Sequence, residues 1–188
     1  NSKVFEAPGA SDKKAEEREE ILQSSENKKL IPKVLLHSAD ISNPTKPWDL
    51  CREWALRVLD EYANQGDQEK QMGIPVQVLN DREKVNRPNS QIGFIEFIIT
   101  PWWVAKVKVF PDLFESCQLL EGNLSQWERA WLEESNPSEA EREKVKERVQ
   151  KIIASLRPAQ SRGAGFGPSV GDALAKGAPP RRRSTTHK

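Results

Sequence analysis

Two short segments hold the side chains best suited to chemistry in this sequence. In the first, HSADISNP at residues 37–44, the imidazole of His37 and the carboxylate of Asp40 stand three residues apart, before a proline-marked break. Both groups are ligands for Zn²⁺. An isolated Asp at such a break is more commonly a helix cap or an Asx-turn residue, and a single His is more commonly packed or partly exposed. Spacing alone leaves both interpretations open.

The second segment, SQIGFI at residues 90–95, places Gln91 three residues before Phe94. On a helix this spacing puts an amide and an aromatic ring on one face. Taken by itself, the segment favours a first-turn polar residue followed by two core residues, Phe94 and Phe97. Spacing alone indicates a helix here and does not identify a function.

Helices are predicted on both sides of these segments. From Leu30 to Ala39 the apolar residues follow helical spacing, with Pro32 near the first turn, and this helix leads to Asp40. A second helix is predicted from Pro47 to near Gly66. Spacing alone favours burial of its single apolar face, which is formed by Cys51, Trp54, Ala55, Val58, Leu59 and Tyr62.

Helical periodicity returns after a long ordered loop, which is predicted over residues 67–90. It extends from Gln91 to about Leu120, with interruptions near Pro101 and Pro111, and a short helix is predicted from Asn123 to Glu134. The predicted fold is therefore all-helical.

The last helix is indicated by a capping box at residues 138–141, just after a stop at Asn136-Pro137. Its apolar stripe is expected to comprise Val145, Val149, Ile152, Ile153 and Leu156. We divide the chain into a charged loop-and-helix segment at 1–29, a folded part at 30–156, and a Gly/Pro/Arg-containing tail at 157–188 that is predicted to be disordered.

Composition argues against several classes of function. Lys and Arg number 29 against 28 Asp and Glu, so the net charge of +1 does not favour a nucleic-acid partner. No apolar run approaches the roughly 18 residues of a membrane span. Cys51 and Cys117 lie far apart and outside any CxxC motif, which predicts neither a disulfide framework nor a thiolate zinc site. A reducing, cytoplasmic setting is expected.

Read together, the segments resemble one enzyme family. HSADISNP at 37–44, Gly66-Asp67 with Gly73, and SQIGFI at 90–95 occur in the order and spacing of the class I 3′,5′-cyclic nucleotide phosphodiesterases. The resemblance covers about residues 28–135. It implies that the chain is the C-terminal half of a compact, multi-helix, HD-type phosphodiesterase domain. The implied activity is hydrolysis of cAMP or cGMP to the 5′-monophosphate in cyclic-nucleotide signalling.

The resemblance also implies roles for individual residues. Asp40 matches the last protein ligand of the tightly bound zinc in a two-metal site whose second ion is magnesium or manganese. Gln91 matches the glutamine that reads the purine, while Phe94 and Val58 match the two sides of a clamp around the base. The walls of the substrate pocket are implied to include Trp54, Tyr62 and Leu79.

Two residues bear on substrate preference. Asn43 matches a position where some cAMP-preferring members carry Asn. Cys51 stands where those members have a Tyr that hydrogen-bonds the reading glutamine, and a thiol is a weak partner for an amide. Rotation of the Gln91 amide would suit either adenine or guanine, so the choice between cAMP and cGMP stays open.

The family's other site motifs are absent from this sequence. They are an upstream His-Asn-x-x-His, which supplies the general-acid histidine, and a later His-Asp pair, whereas the histidines here are His37 and His187. We therefore expect no catalytic residue in this chain, and a single carboxylate cannot hold a catalytic zinc.

Two hypotheses follow. In the first, indicated by a start without Met, the chain is a fragment of an active phosphodiesterase. In the second it is a truncated, non-catalytic helical module that binds a nucleotide or a partner. Dimerisation of the full-length protein, and membrane association through regions outside this chain, stay open.

Overall fold

The computed structural model describes residues 10–163, with side chains described from residue 16 to 157. Within this range the chain forms α-helices and no strand, which confirms the all-α prediction. The helices are α1 (Ala10–Gln23), α2 (Ser25–Asp40), α3 (Trp48–Gln71), α4 (Arg87–Phe94), α5 (Thr100–Val109), α6 (Phe114–Ser135) and α7 (Glu139–Gly163). Short 3-10 turns lie at Asn43–Thr45, Val78–Asn80 and Pro111–Leu113, and a π-helical turn lies at Ile95–Ile99. None of the described helices has an apolar stretch long enough to cross a bilayer.

The core lies where α6 packs on α4 and α7, and where α5 packs on α7. The stripe predicted for the last helix is confirmed, because Val149, Ile152, Ile153 and Leu156 are buried and Val145 packs against them. From α3, Cys51 and Ala55 join the same cluster. Burial of these apolar faces is the main term that stabilises the fold.

The junction between α6 and α7 follows the predicted capping signals. Asn136 takes the left-handed conformation, with φ of 42°, and ends α6. The backbone N–H of Ser138 donates to Glu141 Oε2 at 2.8 Å, and the N–H of Glu141 donates to Ser138 Oγ at 3.4 Å. The capping box is therefore present.

Helix α7 is longer than predicted, because it continues to Gly163. The prediction that the tail starts at residue 157 was wrong for its first residues. Residues 159–162, with sequence AQSR, include no further proline or glycine, and the helix continues after Pro158. The rest of the predicted disordered tail lies outside the described residues.

Helix α2 begins earlier than predicted, at Ser25, so Pro32 lies inside the helix and not in its first turn. Residues 25–30 are mostly good helix formers, which favours the earlier start. A proline removes the hydrogen bond that the Lys28 carbonyl would accept. Both residues are exposed, so this carbonyl does not disrupt the core.

Gly66 does not end α3, which continues to Gln71. A Cβ atom at this position would lie 2.0 Å from the backbone oxygen of Asn80. Glycine is therefore required by the close approach of the 3-10 turn at Val78–Asn80, and not by a helix end. The loop that was predicted over residues 67–90 is therefore shorter, and it occupies only the region between α3 and α4.

The predicted interruption near Pro101 is a π-helical turn at Ile95–Ile99, directly before the proline. A π turn inserts an extra residue and shifts the register of the side chains that follow. Phe97 is consequently 70% exposed, so its interpretation as a core residue was wrong.

Helix α6 begins at Phe114, nine residues before the predicted start at Asn123. The predicted break between Leu120 and Asn123 does not exist. Gly122 and Asn123 suggested an interruption, but Leu120, Leu124 and Trp127 form one continuous buried face across them.

Candidate functional site

The implied metal ligand lies at the C-terminal end of α2. Asp40 is the last residue of that helix and its side chain is exposed. His37 is also exposed, and its ring meets the Trp102 ring edge-on, with centroids 5.1 Å apart. The Trp102 indole N–H donates to Ser38 Oγ at 2.9 Å, and Ser38 Oγ donates to the Val34 carbonyl at 2.6 Å. Trp102 thus fixes the last turn of α2 against α5.

The turn that carries Asn43 follows immediately. Asn43 is the first residue of the 3-10 turn and is half-buried. Asn123, which is 3% exposed on α6, donates from Nδ2 to the carbonyls of Pro44 and Lys46, at 2.7 Å each. One buried amide therefore holds the segment between α2 and α3.

Replacing Asn123 with Ala is expected to lower the free energy of unfolding by about 1–2 kcal/mol, because a carbonyl beside the core loses its donor. Thermal unfolding followed by circular dichroism measures the loss. Ser125→Ala is the matched control, since Ser125 is exposed on the same helix. An Asn123→Ala variant as stable as Ser125→Ala would contradict the anchoring role.

The apolar face predicted for α3 is divided in two. Cys51, Ala55 and Leu59 are buried, and Val58 is half-buried. Trp54 and Tyr62, in contrast, are 51% and 37% exposed, so the interpretation of both as buried core was wrong. Positions 51, 55 and 59 are four apart and form the buried line of the helix, and positions 54, 58 and 62, which are also four apart, form the neighbouring line at its edge. These side chains form an accessible row beside the core.

The remaining wall residue, Leu79, lies in the 3-10 turn that packs on α3 and is 41% exposed. Asp81, two residues after Leu79, is buried. Its carboxylate accepts a hydrogen bond from Lys70 at 2.8 Å and forms an ion pair with Lys84 at 3.2 Å. The hydrogen bond from Lys70 is the main reason that the pKa of Asp81 falls to about 2. This ionic contact, together with the close approach at Gly66, fixes the turn.

Gln91 lies on α4, which packs against α3, and is 9% exposed. Its amide makes no hydrogen bond with the described residues. Phe94, on the same face one turn later, is half-buried and packs against the core cluster. The amide therefore retains its full capacity to donate and accept.

Cys51 is sealed in the core, at 1% exposure. Burial raises the pKa of its thiol to about 11, and a contact with Trp127 acts in the opposite direction. The thiol is therefore a neutral packing group at neutral pH, and it makes no hydrogen bond to Gln91.

The described residues do not form a metal site. No group of three or more His, Cys, Asp or Glu side chains lies close enough together between residues 16 and 157 to hold an ion. Asp40 alone does not fit a catalytic zinc, which takes at least three protein ligands.

Two residues that organise the site were not singled out from the sequence. Trp102 and Asn123 act across 64 and 77–79 residues of sequence separation, so no local pattern reveals them. The one available signal was Asn123, a polar residue in the buried register of Leu120 and Leu124.

Comparison with known proteins identifies relatives. The 3′5′-cyclic nucleotide phosphodiesterase family model matches residues 2–120. The human "High affinity cAMP-specific and IBMX-insensitive 3′,5′-cyclic phosphodiesterase 8A" is 40% identical over 125 residues, which are 66% of this chain and 15% of the relative. The Caenorhabditis elegans "Probable 3′,5′-cyclic-AMP phosphodiesterase pde-4" is 35% identical over 120 residues, which are 63% of this chain and 17% of the relative.

A third relative is the mouse "Dual specificity calcium/calmodulin-dependent 3′,5′-cyclic nucleotide phosphodiesterase 1C", which is 39% identical over 118 residues, 60% of this chain and 16% of the relative. The chain thus spans less than a fifth of the length of these relatives. The family match covers more than half of the chain and includes the segments around Asp40 and Gln91, so the chain belongs to the 3′,5′-cyclic nucleotide phosphodiesterase family.

Proposed function

We propose that this chain supplies the base-recognition part of an enzyme that hydrolyses 3′,5′-cyclic nucleotides to 5′-monophosphates. The observation that carries the proposal is Gln91, a nearly buried amide without a hydrogen-bond partner among the described residues. The amide is not among the fully buried side-chain groups that lack a partner, so it reaches solvent and is open to a ligand with a complementary edge. The family match supports a cyclic nucleotide as that ligand.

In the proposed complex the Gln91 amide reads the purine edge, and Phe94 and Val58 contact its two faces. Stacking on an aromatic ring contributes about 1–3 kcal/mol per base. Trp54, Tyr62 and Leu79 form the walls, and their exposure leaves them free to contact a ligand. Asn43 contacts the same nucleotide from the turn after α2.

The proposed enzyme discriminates weakly between cAMP and cGMP. Since Cys51 is buried and does not bond Gln91, the amide is free to present either end to the base. A relative named as dual-specificity agrees with this proposal, whereas a relative named as cAMP-specific does not.

Zinc and magnesium, or manganese, are proposed as cofactors of the complete domain, with Asp40 as one protein ligand. The remaining ligands and the general acid would be supplied by residues other than those described. We therefore propose that this chain does not hydrolyse cyclic nucleotides by itself. A cytoplasmic setting is also proposed, since Cys51 and Cys117 are both free thiols.

The second candidate is a non-catalytic module that binds a nucleotide or a partner protein through the same residues. The row of exposed apolar side chains on α3 favours it, because Trp54 and Tyr62 present a surface available for contact. The two candidates share the recognition residues and differ in whether a complete domain exists around them.

Binding of cAMP and cGMP to the chain without metal tests the recognition role, by titration followed by NMR. We expect saturable binding of both nucleotides at millimolar concentration, weakened about tenfold by Gln91→Leu. Gln77→Leu is the control, because Gln77 is exposed and lies outside α4.

Absence of saturable binding, or equal loss in the two variants, would count against base recognition by Gln91. Release of 5′-monophosphate by the chain alone, with Zn²⁺ and Mg²⁺ added, would overturn its proposed dependence on further residues.

A further inference from the structure

A recess lies where α3, α4 and α6 meet. It has a volume of about 220 Å³, and it shares no lining residue with the clamp or with Asp40. Pockets for drug-sized ligands start at about 300 Å³, so this recess suits a smaller molecule.

Its apolar surface is aromatic and fixed in place. Trp127 is 2% exposed on α6, and Trp48, half-buried at the start of α3, meets it edge-on with ring centroids 4.9 Å apart. Pro88, which is buried at the start of α4, closes one side. The half-buried indole of Trp48, held in this way, offers a surface for a small aromatic ring.

Most of the charged residues that line the recess form no ion pair with the described residues. Arg87 is committed to Asp60, at 2.8 Å. Arg52 and Arg129, on α3 and α6, have no ion pair or hydrogen bond with the described residues. A guanidinium is an effective bidentate partner for a carboxylate.

Two carboxylates line the same recess. Glu133 and Glu134 also lack a described partner, although Glu133 lies four residues after Arg129 on α6, a spacing that commonly forms an ion pair. The free charges are therefore two cations and two anions. The complement of such a lining is a molecule with one group of each sign, and an ion of one sign would meet repulsion as well as attraction.

We propose that this recess binds a small aromatic zwitterion, of the chemical class of the free aromatic amino acids. The carboxylate of the ligand pairs with Arg52 and Arg129, the ammonium pairs with Glu133 and Glu134, and the ring contacts Trp48. The proposal is independent of the proposed phosphodiesterase function.

NMR titration of the chain with L-phenylalanine, following the Trp48 indole N–H signal, tests the proposal. We expect saturation at millimolar ligand, with phenylacetate and phenethylamine binding at least about tenfold more weakly because each lacks one charge. Arg52→Gln and Glu133→Gln are each expected to weaken L-phenylalanine about tenfold. Arg57→Gln, exposed on α3 and absent from the recess, is expected to bind like the unchanged chain.

No saturable shift up to about 20 mM L-phenylalanine would overturn the proposal, since that limit lies about tenfold above the millimolar saturation that is expected. Equal binding of the three ligands would also overturn it, because charge complementarity would then play no part. The same conclusion follows if Arg57→Gln weakens binding as much as Arg52→Gln. Circular dichroism spectra of all variants establish that each is folded.

Discussion

Replacing Gly66 with Ala is expected to lower the free energy of unfolding by about 3 kcal/mol or more. The added Cβ would lie 2.0 Å from the backbone oxygen of Asn80 and 2.8 Å from its carbonyl carbon. Neither atom belongs to a flexible side chain, so relief of the clash requires the 3-10 turn to move away from α3. That movement would also displace Leu79, which the proposed pocket uses as a wall.

The matched control is Gly122→Ala, because Gly122 also lies within a helix and an added Cβ there would have no neighbour within 4 Å. In an exposed helical position this change stabilises by about 1 kcal/mol. Urea unfolding followed by circular dichroism compares the two variants. Opposite signs are expected; a stabilised Gly66→Ala variant would show that the close approach at Asn80 does not restrict this position.

Replacing Lys106 with Met is expected to raise the free energy of unfolding at pH 7 by about 1–2 kcal/mol. Lys106 is 7% exposed on α5, and its ammonium lies 3.4 Å from the centroid of the Trp103 ring, with no ion pair among the described residues. Burial lowers the pKa of Lys106 to about 8. The cation–π contact offsets only part of the desolvation. Met preserves much of the apolar stem and removes the charge.

The pH dependence identifies the cause. Between pH 8 and about 10.5 the unfolded chain keeps the lysine proton that the folded chain has lost, so the stability contribution of Lys106 rises with pH. The advantage of Lys106→Met should therefore shrink over this range. Burial raises the pKa of Cys51 and Cys117 to about 11, which lowers stability above pH 9 in both proteins. Because Lys106 partly lowers the pKa of Cys117, the substitution also affects that thiol, so the contribution of the lysine is read from the difference up to pH 9.

Lys108→Met, at an exposed position on the same helix, is the control and is expected to change stability little at any pH. Chemical unfolding at pH 7, 8, 9 and 10 supplies the measurement. A constant difference between Lys106→Met and the unchanged chain across this range would show that the effect arises from packing and not from the buried charge.

Local signals predicted those elements whose determinants are local. The capping box at Ser138 and the stripe of α7 are examples, because every residue that defines them lies within one helix. Gly66 was misread as a helix end because its neighbour, Asn80, is brought to it by tertiary packing. Phe97 was misread because the π turn shifts the side-chain register in a way that 3.6-residue periodicity does not anticipate.

In the candidate site, too, some features could be predicted from the sequence and others could not. Gln91 and Phe94 were identifiable through the resemblance of the segment at 90–95 to the family, and both lie on α4 as predicted. The exposure of Trp54 and Tyr62 was not identifiable, since a helical edge and a helical core face share the same apolar residues. Their roles in binding stay predictions.

The distribution of buried residues determines which part of the fold opens most easily. Apart from Cys51 and Ala55, the buried members of the core cluster fall between Ile92 and Leu156, whereas Ser38 is the only buried residue of α2 among those described. Helices with few buried groups open by local fluctuations of low free energy, well below global unfolding. The end that carries Asp40 is then the most easily opened part of the proposed site, while Gln91 sits on the part that opens last. The helix end that carries the proposed metal ligand would therefore be less rigid than the helix that carries the proposed base-recognition residue, even before a ligand binds.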